Sequence, residues 1–273
     1  MNVMFRFAVL LCLSVSIFLF AGCGDWSNLS PGCGKGIDVS GFSKLTILPA
    51  DTTGGTADDW RSKGVVTPVK NEGECHASWA FGTTALVESY HAITEARLLS
   101  LSEQQLIDCD AVGHVCSGGG NPIESLKGMI GQNGLETAAS YPYTGRQGTC
   151  KFDSGKVAAT ILGVGLLPPG DEESLKAYVT KQGPVLAFID ACHPSFTNYK
   201  SGVYYEPMCS STRPTRAVVV VGYGGDPGSE YWIVKTSLGT EWGVGGYIYM
   251  SRNRDNNCGI ASFALSPANL PFE

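Results

Sequence analysis

The sequence predicts an α+β fold, and two observations carry that reading. Apolar residues recur at helical spacing in stretches up to Gln182, and short β-branched or aromatic runs take over after Pro184. A third observation bounds the size. With 273 residues, 43% hydrophobic and 16% charged, the chain can bury a substantial core in one large or two small domains.

The elements follow in order. Residues 24–57 are rich in Gly, Ser, Thr and Asp without sustained periodicity, and Gly54-Gly55-Thr56-Ala57 reads as linker. Trp79 to Arg97 places Leu86, Tyr90, Ile93 and Arg97 at helical spacing, which predicts a buried helix starting beside Ser78. Ser102-Glu-Gln-Gln105 is a capping-box pattern opening a second helix. Asn121-Pro122 starts a third that Gly134 closes, and Asp171 to Gln182 is a fourth, ended by Gly183-Pro184. Four strands are predicted at 185–189, 217–223, 231–234 and 246–250. A helical half followed by a mainly β half places any cleft between the two.

Bulk properties exclude several partners. A net charge of -6 argues against nucleic acid or an anionic membrane. Met1 to Arg6 supplies one positive charge, and Phe7 to Ala21 is an almost unbroken apolar run, short for a membrane span and typical of a signal peptide core. We therefore expect residues 1–22 to be a cleaved signal and the product to be secreted, with endolysosomal delivery as the alternative. An uncleaved anchor, or lipidation of Cys23 after Phe20-Ala21-Gly22, is the lesser reading. Asn28-Leu29-Ser30 is an N-glycosylation sequon. Ten cysteines in a secreted chain imply a disulfide framework. Cys12 leaves with the signal, and the nine that remain leave at least one without an intramolecular partner. No metal-ligand spacing or phosphate-loop pattern is present, and no cofactor is expected.

Asn71-Glu-Gly-Glu-Cys-His-Ala-Ser-Trp-Ala-Phe81 is the most telling stretch. It resembles the Cys-Gly-Ser-Cys-Trp-Ala-Phe signature of papain-like cysteine proteases, with Ser78 where the attacking thiol belongs. Further stretches resemble the cathepsin L branch, among them Asp59-Trp60-Arg61, Leu106-Ile107-Asp108-Cys109, Ser140-Tyr141-Pro142-Tyr143, Gly239-Thr240-Glu241-Trp242-Gly243 and Asn257-Cys258-Gly259. The resemblance runs from Asp59 to about Pro267. It implies a papain-like two-domain fold, with a helical left domain (about 70–165), a β-barrel-like right domain (about 166–265) and a cleft between. Residues 23–58 would then be a short arm, vestigial propeptide or linker, and 268–273 a tail. The disulfides implied are Cys75–Cys116, Cys109–Cys150 and Cys209–Cys258, with Cys23 and Cys33 able to pair in the arm and Cys192 left free.

All four positions matching the family's catalytic residues differ. Ser78 stands for the nucleophile, Arg216 for the histidine base, Thr236 for the orienting asparagine and Glu72 for the oxyanion-binding glutamine. A guanidinium has no acceptor lone pair and stays protonated, so Arg216 cannot take a proton from Ser78. A carboxylate at Glu72 would repel a developing oxyanion. The reciprocal charges suggest instead a Glu72–Arg216 ion pair across the cleft, with Ser78 hydrogen-bonded between them. The cleft and pocket positions implied are Trp79, Gly119, Gly120, Asn121, Pro214, Trp242 and Phe263, in a pocket shallow at its wall and filled at its floor. On these grounds we expect a catalytically inactive homologue, a pseudoprotease that binds a protein or peptide. The alternatives are a hydrolase or peptidase using Ser78, and a disulfide-stabilised structural or storage protein.

Overall fold

The computed structural model describes residues 36–109, 116, 122–131 and 134–268. The signal, the sequon, Cys23, Cys33, Gly119, Gly120, Asn121 and the tail beyond Ala268 lie outside the described residues. No helix among the described residues is long and apolar enough to cross a membrane.

The predicted helices are all present, with shifted ends. They are α1 (Ser78–Glu95), α2 (Glu103–Cys109), α3 (Pro122–Gly131) and α4 (Glu172–Gln182), followed by a single turn, α5 (Pro194–Thr197). Capping explains two of the starts. The Ser102 hydroxyl accepts from Gln105 N–H at 3.0 Å before α2. Asp171 accepts from the N–H groups of Glu173 and Ser174 at the head of α4.

Among the described residues ten strands follow in order: β1 (Asp58–Asp59), β2 (Leu135–Glu136), β3 (Val157–Ala159), β4 (Val164–Leu166), β5 (Val185–Ile189), β6 (Val203–Tyr204), β7 (Arg216–Gly224), β8 (Tyr231–Lys235), β9 (Tyr247–Ser251) and β10 (Ala264–Pro267). Those from β5 and β7–β9 coincide with the predicted runs. The short β1–β4, β6 and β10 carry too few residues for a period-2 pattern to register. Eight strands form one sheet in the order β4-β10-β5-β7-β8-β9-β6, with β1 paired to β7. This corrects one expectation: the sheet is open, its end strands β4 and β6 do not pair, and no closed barrel forms among the described residues.

The long strand β7 organises the molecule. It is buried along its length after Arg216 and is flanked by β5 and β8. Helix α1 lies against it at close range because Gly82 has no side chain. A Cβ there would come within 2.6 Å of Leu186 Cδ1 and 3.3 Å of Ala217 Cβ. That approach brings the first residue of α1, Ser78, to the first residues of β7.

The three implied disulfides are formed, Cys75–Cys116, Cys109–Cys150 and Cys209–Cys258. Each spans a separation of 41 or 49 residues. By loop entropy each is worth on the order of 4 kcal/mol. Cys192 corrects another expectation. It is disulfide-bonded and not a free thiol, and the other six described cysteines are paired among themselves.

Candidate active site

Four segments converge where α1 meets β7. Lys70 anchors the first. Its ammonium lies 2.7 Å from Glu88 Oε1 and 2.6 Å from Glu103 Oε1, and also donates to the Leu101 carbonyl. Burial lowers its pKa, but the two carboxylates outweigh burial and hold it above its ordinary value. With Lys70 pinned, the chain runs on through Asn71 to Glu72. There Glu72 N–H donates to the Ser237 carbonyl at 2.9 Å, and Asn71 bridges to Leu238. Glu72 is thereby buried, with 1% of its side chain exposed.

The carboxylate of Glu72 is paired on both oxygens. Arg216 Nη1 donates to Oε1 at 2.6 Å, and the Ser237 hydroxyl donates to Oε2 at 2.9 Å. The ion pair anticipated between the helical segment and β7 is therefore formed. Arg216 keeps 17% of its side chain exposed. Tyr143 closes one side, donating to the Glu72 backbone carbonyl at 2.7 Å, and burial together with the Glu72 charge pushes its phenol up to about 12.

Ser78 sits at the first position of α1, 6% exposed. It does not lie hydrogen-bonded between Glu72 and Arg216 as expected; its hydroxyl oxygen accepts from Ala217 N–H at 3.1 Å. The positive end of the α1 macrodipole falls here, and the Glu72 carboxylate offsets both that dipole and the guanidinium. Thr236 is turned away from the centre. Its hydroxyl donates to the Gly246 carbonyl at 2.9 Å and accepts from Leu238 N–H at 3.3 Å.

His76, two residues before Ser78, is exposed and held at φ 52°. A left-handed conformation costs a non-glycine residue roughly 1–2 kcal/mol. His76→Gly is expected to leave the disulfides intact and raise the thermal midpoint by a few degrees, since glycine takes this φ without strain. A lowered midpoint in a thermal melt would show that the His76 side chain contributes more than the strain it carries.

The remaining pocket positions are dispersed. Trp79 is 1% exposed and belongs to the core, not to an open wall. Trp242 is half-buried, its ring 4.9 Å from Phe196 and its Nε1 donating to the Thr197 carbonyl. Pro214 and Phe263 are each touched by a segment that shows no sustained periodicity in the sequence. Phe42 packs edge-on against Phe263 at 5.3 Å and against Phe188 at 5.1 Å, while Ile37 N–H donates to the Pro214 carbonyl at 2.9 Å. Val39, Phe42, Leu45 and Leu48, apolar every three residues, were the signal that could have revealed it.

Among the described residues one cluster has metal-ligand composition. Asp190, His193 and Cys209 present their atoms within 4.8 Å of one another. Cys209 is locked to Cys258, so it has no thiolate to offer, and His193 is engaged by Asp190 at 3.2 Å.

Residues 55–268 match the model of the papain family cysteine protease. Digestive cysteine proteinase 2 of Homarus americanus is 47% identical over 224 residues, covering 81% of this chain and 69% of that protein. The cathepsin L-like peptidase of Aedes aegypti is 44% identical over 223 residues, covering 81% and 66%. Among solved structures, digestive procathepsin L2 proteinase from Tenebrio molitor larval midgut superposes with a TM-score of 0.81 at 35% identity, over 87% of this chain and 79% of that one. The chain spans about two thirds of the length of the curated relatives it matches. These relatives are named as proteinases and peptidases. That finding overturns the expectation of a catalytically inactive homologue working only by binding, and with it the pseudoprotease and storage readings.

Proposed function

Because the chain belongs to the papain family of cysteine proteases, we propose that it is a peptidase of that family in which the Ser78 hydroxyl replaces the thiolate, so that peptide bonds are cleaved slowly. The observation that carries this is the position of Ser78, at the head of α1 and beside the start of β7. A nucleophile there benefits from the positive end of the helix.

Turnover is slow because the centre lacks a base. The residues at the matched base, orienting and oxyanion positions are Arg216, Thr236 and Glu72, and none supplies an imidazole. Loss of a nucleophile or base from a triad typically costs about six orders of magnitude. With the guanidinium committed to Glu72, the Ser78 proton passes to water or to the leaving nitrogen. A digestive role is consistent with the name of the Homarus americanus relative, and the apolar N-terminal run supports delivery outside the cell or to an endolysosomal compartment. The test is peptide release by the purified protein beside Ser78→Ala, at acidic and neutral pH. Release lost in the variant supports the reading; equal release from both overturns it.

A further inference from the structure

We propose that Arg216 is a specificity-determining residue, the receptor for a substrate carboxylate beside Ser78, and that Glu72 is the internal carboxylate with which the substrate must share it. A guanidinium presents five N–H donors in a planar fork that matches carboxylate geometry. Glu72 uses little of that fork. Arg216 Nη1 donates to Glu72 Oε1 at 2.6 Å, while the other carboxylate oxygen is turned to the Ser237 hydroxyl at 2.9 Å. The contact is single and not bidentate. Among the described residues no other acceptor takes the remaining N–H groups of Arg216.

The accessible part of the pair is the cation. Arg216 keeps 17% of its side chain exposed and Glu72 only 1%, so a ligand arriving from solvent meets donors, on a chain whose net charge is -6. A bond from a guanidinium to a carboxylate is roughly twice as strong as one between neutral groups, so an uncharged amide is the poorer ligand. Position turns this into specificity. Arg216 opens β7, and the N–H of its neighbour Ala217 donates to Ser78 Oγ at 3.1 Å. A carboxylate on the guanidinium therefore belongs to a substrate residue about one or two positions from the bond offered to Ser78. An Asp or Glu side chain and a free peptide C-terminus share this chemistry. Glu72 opposes either one by charge repulsion and by holding one edge of the fork, so it sets the affinity.

The inference deepens the peptidase reading and rests on it for where the substrate lies, but its test reads binding and not cleavage. All proteins carry Ser78→Ala, which removes turnover by that hydroxyl. Fluorescence anisotropy at pH 7, where carboxylates are ionised, compares short peptides bearing a neutral fluorophore. One set is uncharged with an amidated end, a second carries a single glutamate at each position in turn, and a third ends in a free carboxylate. An acidic peptide is expected to bind at least about tenfold more tightly than the uncharged one, the worth of one charge-assisted bond. Adding Glu72→Gln, which frees the fork, should tighten the acidic peptide further and leave the uncharged one unchanged. Adding both Glu72→Gln and Arg216→Gln, which strands no buried charge, should abolish the discrimination. Preference for the second or the third set tells a side-chain from a terminal carboxylate. Equal binding of acidic and uncharged peptides, no binding of any, weaker acidic binding in Glu72→Gln, or discrimination that survives in the double Gln variant overturns the proposal. None of these results bears on whether Ser78 cleaves, which the release assay decides separately.

Discussion

Ser78→Cys combined with Arg216→His is expected to raise kcat/KM on peptide substrates by at least about a thousandfold over the parent chain. The fold around the two positions is already that of the family, since α1 reaches β7 through Gly82 and three disulfides brace it. An introduced thiol would stand at the positive end of α1, where thiol pKa falls. An introduced imidazole in place of Arg216 would accept its proton, and general-base catalysis alone contributes roughly 10²–10⁴-fold. Full recovery is not expected. The Thr236 hydroxyl is engaged by the Gly246 carbonyl and Leu238 N–H and does not orient a ring, and Glu72 repels charge developing on the substrate oxygen. Adding Thr236→Asn and Glu72→Gln should raise the rate further. A double variant no faster than the parent would mean that the geometry of the centre, and not its residue types, limits turnover.

Arg216→Gln is expected to destabilise the protein by roughly 3–5 kcal/mol, the cost of leaving a buried charge without its partner. An exposed pair would be worth no more than about 1 kcal/mol, and burial decides between the two cases. Glu72 is 1% exposed, with its second oxygen held by a neutral hydroxyl. At about 2–4 °C per kcal/mol for a chain of this size, the midpoint should drop by around ten degrees. Glu72→Gln added to Arg216→Gln removes the stranded charge and should return most of that loss. Thermal melts of the parent, the single and the double variant check this. A single variant melting with the parent would show that the pair is solvated and contributes little.

Much of the fold was legible because its signals are local. The Ser102 cap, the Asp171 cap, Gly183-Pro184 and the β-branched runs of β5 and β7–β8 each declare themselves within a few residues. The Glu72–Arg216 pair was legible from charge reciprocity, although its partners are 144 residues apart. What escaped depends on tertiary placement. The hydroxyl of Ser78 accepts from Ala217 N–H on β7, 139 residues away, which no pattern around Ser78 could announce. Phe42 lies in a stretch rich in Gly, Ser, Thr and Asp whose only regularity is an apolar residue every third position, and the aromatic wall of Phe188 and Phe263 gives it a place to bury. Cys192 looked free only because cysteine pairing depends on which segments fold together. An absent base does not by itself imply absent activity, and relatives of this chain are named as a proteinase and a peptidase.

In the proposed reaction Ser78 is the nucleophile. This is tested by peptide release from a broad fluorogenic panel over hours, with protein at micromolar concentration, for the parent and for Ser78→Ala from identical preparations. The expected result is a slow release, on the order of a millionth of a thiolate enzyme's turnover, that disappears in Ser78→Ala and is indifferent to thiol-alkylating reagents. Release that persists unchanged in Ser78→Ala, or none from either protein, would contradict it.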